Sequence, residues 1–115
     1  MKILVTGSRT FPSRELVEEQ LSLWNPGEAT VIVGDCPTGA DLYAREWCAK
    51  NNIACQIHYA NWDKYGKSAG PRRNREMVEE KPDIVLAFFD GDNRGTKNCV
   101  DLASKADISV AKYFI

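Results

Sequence analysis

Three short runs of uninterrupted apolar residues constrain this chain most: Ile3-Leu-Val-Thr6, Thr30-Val-Ile-Val33 and Asp83-Ile-Val-Leu-Ala-Phe-Phe89. A strand that is apolar on both sides must be covered on both faces, which is the habit of parallel sheets. The segments between the runs carry helical stripes. Ser13 reads as an N-cap with Glu15 in the first turn, and Leu16, Val17, Leu21 and Trp24 follow on one face. Ala40, Ala44, Trp47 and Cys48 stripe a second helix, and Cys99, Leu102, Ala103 and Ala106 a last one. Two further strands are mixed. From Ile53 to Tyr59 apolar and other residues alternate, and Ile108-Ser-Val-Ala-Lys-Tyr-Phe114 is similar, so both read as sheet edges.

Strands and helices alternate five to four, which predicts parallel βαβ units. The fold class expected is α/β, a Rossmann-like doubly wound parallel five-stranded sheet of order 3-2-1-4-5 with helices on both faces. Its 115 residues make one domain, 1–115, large enough to bury about two thirds of the chain surface.

Punctuation agrees with this division. Asn25-Pro26-Gly27, Asn51-Asn52 and Lys81-Pro82 should stop helices. Thr38-Gly-Ala-Asp41 resembles a capping box, although Asp is shorter than the usual Glu. Residues 60–69 read as a polar-aromatic loop, and Gly70-Pro71 as the start of a helix. That helix then places Arg72, Arg73 and Arg75 near its positive end, where acids are normally favoured. Three cations there make sense if an anion completes the site, because free N–H groups at a helix start cradle phosphate. The alternative is arginines fanned into solvent or paired with carboxylates.

In doubly wound sheets ligands bind at the carboxyl ends of the strands, beside the switch point. The site is therefore expected from residues 7–9, 34–39, 62–74 and 91–96. Gly7 and Ser8 offer donors to phosphate with Arg9 as counter-charge, or else form a plain tight turn. Gly34 and Gly39 permit close backbone approach, and Asp35 or Asp41 accepts from ribose hydroxyls unless Asp41 is only a cap. Gly70, Arg73 and Asn74 belong to the arginine-rich helix. Gly91, Arg94, Gly95 and Thr96 open a second phosphate-friendly helix. Trp62 and Tyr65 stack a base or simply pack.

Several classes are excluded. The net charge of −1 advertises neither nucleic acid nor membrane. No apolar run approaches the roughly 20 residues of a membrane span, and MKILVTG reads as a strand rather than a signal peptide. Cys36, Cys48, Cys55 and Cys99 form no CxxC pair, and His58 is the only histidine, so no metal site is expected. Free thiols point to the cytoplasm. The dinucleotide fingerprint and the P-loop are both absent, and no cofactor is expected.

The motifs LVTGSR, GDCPTGAD, ANWDKYGKSAGPRRNREM and FFDGDNRGT, in that order, resemble small proteins of the SLOG superfamily. That superfamily includes the lonely-guy phosphoribohydrolases and the DNA-processing protein A family. The resemblance spans essentially the whole chain and implies a Rossmann-like fold that binds nucleotides or nucleotide-derived ligands. The hydrolases' RKxxM motif falls on Arg73-Asn74-Arg75-Glu76-Met77, with Asn74 where they have lysine. Of their PGGxGTxxE motif Gly95 and Thr96 match, while Cys99 holds the position of the catalytic glutamate. A thiol is a poor substitute for a carboxylate facing an oxocarbenium-like sugar. Asp35, Asp90 or Asp92 would have to supply one from another loop.

The expected function is thus a module that binds a nucleotide or nucleotide-derived molecule, for example one related to NAD or ADP-ribose, as a sensor or sequestering protein. The alternative is a hydrolase cleaving such a ligand at its N-glycosidic bond. The expected partner is that small molecule, with no membrane and no nucleic acid. Relatives of this fold often dimerise, which makes a homodimer the expected assembly.

Overall fold

The computed structural model describes residues 1–24, 28–91 and 93–115; the helix stop expected at 25–27 lies outside the described residues, as does Asp92. The chain runs β1 (Lys2–Gly7), α1 (Arg14–Trp24), β2 (Thr30–Gly34), α2 (Gly39–Asn51), β3 (Ala54–His58), α3 (Trp62–Tyr65), a 3-10 turn (Gly66–Ser68), α4 (Ala69–Glu79), β4 (Ile84–Phe89), α5 (Arg94–Lys105) and β5 (Ser109–Phe114). The sheet has the order β3-β2-β1-β4-β5, and every neighbouring pair is parallel. The expected order and class are found.

The apolar runs divide by parity between two cores. Ile3, Val5, Val31, Val33, Ile84, Leu86 and Phe88 face one side with Val17 and Leu21 of α1 and Ala40, Ala44 and Trp47 of α2. Leu4, Ile32 and Val85 face the other with Met77 and Val78 of α4 and Cys99 and Ala103 of α5. Each fully buried Val, Leu, Ile, Phe or Met among them contributes about 1.5–3 kcal/mol, and each alanine less. Phe11, in the turn after β1, stacks edge-on against Phe88 with centroids 5.3 Å apart. Tyr113 of β5 lies flat on Phe88 at 4.9 Å and donates to Gln20 Oε1 at 2.7 Å, fixing that edge strand to α1. β3 and β5 are the sheet edges and the least buried strands.

Local signals for the helix ends hold well. The Leu16 N–H donates to Ser13 Oγ at 3.1 Å, the bond an N-cap makes. Asn52 closes α2 in the left-handed conformation, φ 55°. α4 stops at Glu79, Lys81 turns left-handed, and Pro82 cannot continue the helix.

Residues 60–69 differ from the loop expected. Asn61 accepts from the Lys64 N–H at 3.1 Å and so nucleates the single turn α3. The 3-10 turn then leads into α4, which begins at Ala69 instead of Gly70-Pro71. The Ala69 N–H already donates to Gly66 O, so part of the helix start is capped by its own approach. One turn of helix is too short to leave a periodic signature.

Candidate functional site

The four strand exits meet at the carboxyl edge of the sheet. Gly7, the last residue of β1, is half-buried and paired with Phe88. The Ser8 N–H donates to Phe88 O at 3.0 Å, and Ser8 Oγ donates to Asn93 Oδ1 at 2.5 Å. The Asp90 N–H donates to Ser8 Oγ at 3.0 Å and to Asn93 Oδ1 at 2.9 Å. Ser8 is thus a buried staple between the β1 and β4 exits. Arg9 is exposed, and its carbonyl accepts from Thr38 Oγ1 at 2.8 Å.

That bond redirects the expected capping box. Thr38 stands at the N-cap of α2 but makes no side-chain cap bond, because its hydroxyl is spent on the β1 exit. Gly39 follows at φ 71°, and a Cβ there would collide with the Ser8 carbonyl, so only glycine lets α2 start against the first loop. Asp41 turns inward instead of back to Thr38. It is 6% exposed and accepts from the Cys36 N–H. Burial pushes its carboxyl up to about 6, against the pull of Arg73 and Arg45.

Arg73 occupies the centre. Its Nη1 donates to Asp35 Oδ1 at 2.7 Å, with the two side chains 15% and 24% exposed. Its Nε donates to Asn74 Oδ1 at 3.3 Å. Asn74 is buried, and its Nδ2 donates to Gly95 O at 3.2 Å and Asn98 Oδ1 at 3.0 Å. Asp35 Oδ2 accepts from the Ala60 N–H at 3.3 Å. Gly34 makes the cluster possible: a Cβ there would sit 2.8 Å from Asp41 Oδ2 and 2.9 Å from Arg73 Nη1. Arg45, which sequence reasoning missed, donates from Nη1 to Gly34 O at 2.9 Å.

Of the three arginines on α4, Arg73 alone turns into this cluster. At about 100° per residue, Arg72 and Arg75 lie across the helix from the stripe of Gly70, Asn74 and Met77. Arg72 sits over the Tyr65 ring at 4.2 Å and donates to Ser68 Oγ at 3.2 Å; Arg75 is exposed. Tyr65 also receives Lys64, 5.2 Å from its centroid. Trp62 is 53% exposed and lies against buried Gly70, where a Cβ would meet its Cη2 at 3.2 Å.

The β4 exit carries exposed Gly91 at φ 62° and exposed Arg94 and Gly95. Thr96 is buried in the first turn of α5. Asn93 stands at the cap of α5 but makes no side-chain cap bond, having turned to Ser8 and Asp90. Cys99 is fully buried against Met77 and Ala103. Burial pushes its thiol up to about 11, against a hydrogen bond with Thr6. Asn93 lies within the expected stretch 91–96 but carries no expected role there, and Asn98 gave no sequence signal, since an asparagine in a turn or helix is ordinary surface until its partner is known.

Two concavities lie apart from Arg73, Asp35 and Trp62. One, of about 680 Å³, runs along α1 past Glu18 and Leu23 to Trp47. The other, of about 330 Å³, is lined by Phe89, Lys97, Lys112 and Phe114 and touches Asn93. Among the described residues no group of three or more His, Cys, Asp or Glu is arranged to hold a metal ion. Nor is any helix among them long and apolar enough to cross a membrane. The four cysteines are free.

Residues 1–65 match the model of a family described as YAcAr: YspA, cpYpsA-related SLOG family. The chain is also similar to the Gene 61 protein of Mycobacterium phage D29, with 35% identity over 119 aligned positions. That alignment covers 97% of this chain and 95% of the phage protein.

Proposed function

The chain belongs to the YspA, cpYpsA-related SLOG family, and on that premise we propose that it binds a nucleotide or nucleotide-derived small molecule, for example one related to NAD or ADP-ribose, at the carboxyl ends of its strands. The observation that carries the reading is one chain of hydrogen bonds. It runs from the Ala60 N–H through Asp35, Arg73 and Asn74 to Gly95 and Asn98. It gathers the β2 and β3 exits, α4 and the start of α5 around a single guanidinium, the planar donor best matched to phosphate.

Supporting groups stand beside it. The first N–H groups of α5 have no cap from Asn93, which suits an oxyanion held with Gly95 and Thr96. The outer face of Trp62 suits a base. Ser8, Arg9, Gly39 and Gly91 shape the neighbouring wall. We assign the module to sensing or sequestering its ligand. At the hydrolases' glutamate position, Cys99 is sealed in the core with a thiol too basic to act as acid or base near neutral pH. A reduced cytoplasmic compartment suits the four free thiols. Phe114 and Ile115, exposed at the β5 edge, provide apolar surface for a homodimer.

Melting curves with a panel of mononucleotides, cyclic nucleotides, NAD and ADP-ribose test the proposal. A ligand at about 100 times its Kd adds about 2.7 kcal/mol to the stability of the folded state and should raise the melting temperature by several degrees. Mass spectrometry of the incubated ligand should recover it intact. Free base or ribose phosphate would establish the hydrolase reading instead, and a flat panel would remove both.

A further inference from the structure

Arg73 is already matched to an anion of its own chain. Asp35 Oδ1 lies 2.7 Å from Nη1, and Asp41 stands near the same guanidinium, across the space that a side chain at Gly34 would fill. A bare phosphate that took the place of Asp35 on Nη1 would exchange one anion for another. One that met Nη2 instead would bring its charge beside two carboxylates and offer nothing to Asp35. Neither approach favours binding.

A ligand that brings hydroxyl groups meets a different site. Ionised Asp35 has about four lone-pair directions, of which the bonds to Arg73 and Ala60 use two. Arg73 Nη2 makes no hydrogen bond to a described residue. Such a ligand can set a phosphate oxygen on Nη2 and a hydroxyl on Asp35 without breaking the ion pair.

Resting on the phosphate-binding reading of this crevice, we infer that Asp35 is a specificity-determining residue, an internal counter-anion of Arg73 that excludes phosphates without hydroxyls and admits a polyhydroxylated sugar phosphate by accepting from its hydroxyls. A site built to receive a hydroxyl discriminates strongly against the analogue that lacks it, whereas added apolar bulk is discriminated weakly. The carboxylate therefore sets the choice, and the arginine alone would take either ligand.

Two-dimensional NMR titration of the 15N-labelled protein tests this, because it reads millimolar binding and reports on the fold in the same spectrum. The probes are ribose 5-phosphate and methyl phosphate, added to the wild-type protein and to Asp35→Asn. In the wild type, ribose 5-phosphate should bind about tenfold more tightly or better, the discrimination expected of a hydrogen bond to a charged group. It should move the Asp35 and Ala60 amide signals. In Asp35→Asn the two probes should come within about threefold of each other, mainly because methyl phosphate gains. Should that variant lose its native spectrum, glycerol 3-phosphate against propyl phosphate repeats the comparison on the wild type alone. Equal affinities in the wild type, or an unchanged ratio in Asp35→Asn, overturn the inference while leaving the phosphate site in place. No shift from any probe in either protein removes the site and the inference together.

Discussion

Arg73 on α4 and Asp35 after β2, 38 residues apart in the chain, form an ion pair of 2.7 Å beneath the carboxyl edge of the sheet. The guanidinium is held in place before any ligand arrives, and its orientation is set by Asp35 on one side and Asn74 on the other. Preorganised donors lose little freedom on binding. Their cost is that each is tied to the stability of the fold.

Arg73→Ala should therefore act twice. Whichever nucleotide raises the melting temperature of the wild type should lose about 1.5–3 kcal/mol of binding, the range for a hydrogen bond to a charged partner, as read by titration calorimetry. Stability should also fall by about 1–3 kcal/mol in urea, because Asp35 loses its ion pair and buried Asp41 loses one of the two cations near it. Unchanged affinity would make the ion pair a purely structural feature.

Asp41 gives a pH signature. Its carboxyl is raised from 3.8 to about 6 by burial, so between those values the folded state holds a proton that the unfolded chain has released. Stability from this group is greatest below about pH 4, declines as pH rises to about 6, and stays low above. Asp41→Asn removes that loss. The variant should exceed the wild type by about 2–3 kcal/mol at pH 7.5, and the gap should close toward pH 4 in denaturant melts. A gap independent of pH would contradict the assignment.

Gly39→Ala forces a side chain onto a backbone at φ 71° and against the Ser8 carbonyl. The expected cost is about 2 kcal/mol or more, visible as a lower urea midpoint at constant slope. Gly95→Ala, where the new methyl would point into open space, should be nearly neutral.

Asn74→Ala cuts the tie between α4 and α5. It leaves the Gly95 carbonyl, the Asn98 amide and Arg73 Nε each short of a partner, at a cost of about 2–3 kcal/mol. Hydrogen exchange should quicken first at the start of α5, before the sheet amides respond.

The thiols should divide by environment. Cys48 and Cys99 are buried and both are pushed up, Cys48 by its hydrogen bond with Cys55 and by burial, Cys99 by burial. Cys36 and Cys55 are partly exposed, and Cys55 is lowered by the bond from Cys48. A thiol reagent at pH 8 should label Cys36 and Cys55 in the native protein and reach the other two only in denaturant. Fast labelling of Cys99 would contradict a sealed core at that position.

Much of the architecture was written locally. Continuous apolar runs in β1, β2 and β4, and mixed ones in β3 and β5, determined which strands lie inside and hence the sheet order. Helix ends at Ser13, Asn52 and Pro82 were legible because caps and breakers act within a few residues. The tertiary structure alone decided what the polar side chains do. It gave Thr38 to the Arg9 carbonyl, turned Asp41 inward, set Asp35 on Arg73 and sent Arg72 to Tyr65. Periodicity reports the face of an element and repeats within one turn or one pleat. A polar pair between two loops depends on where folding carries each loop, and neither partner's neighbours in the chain record it.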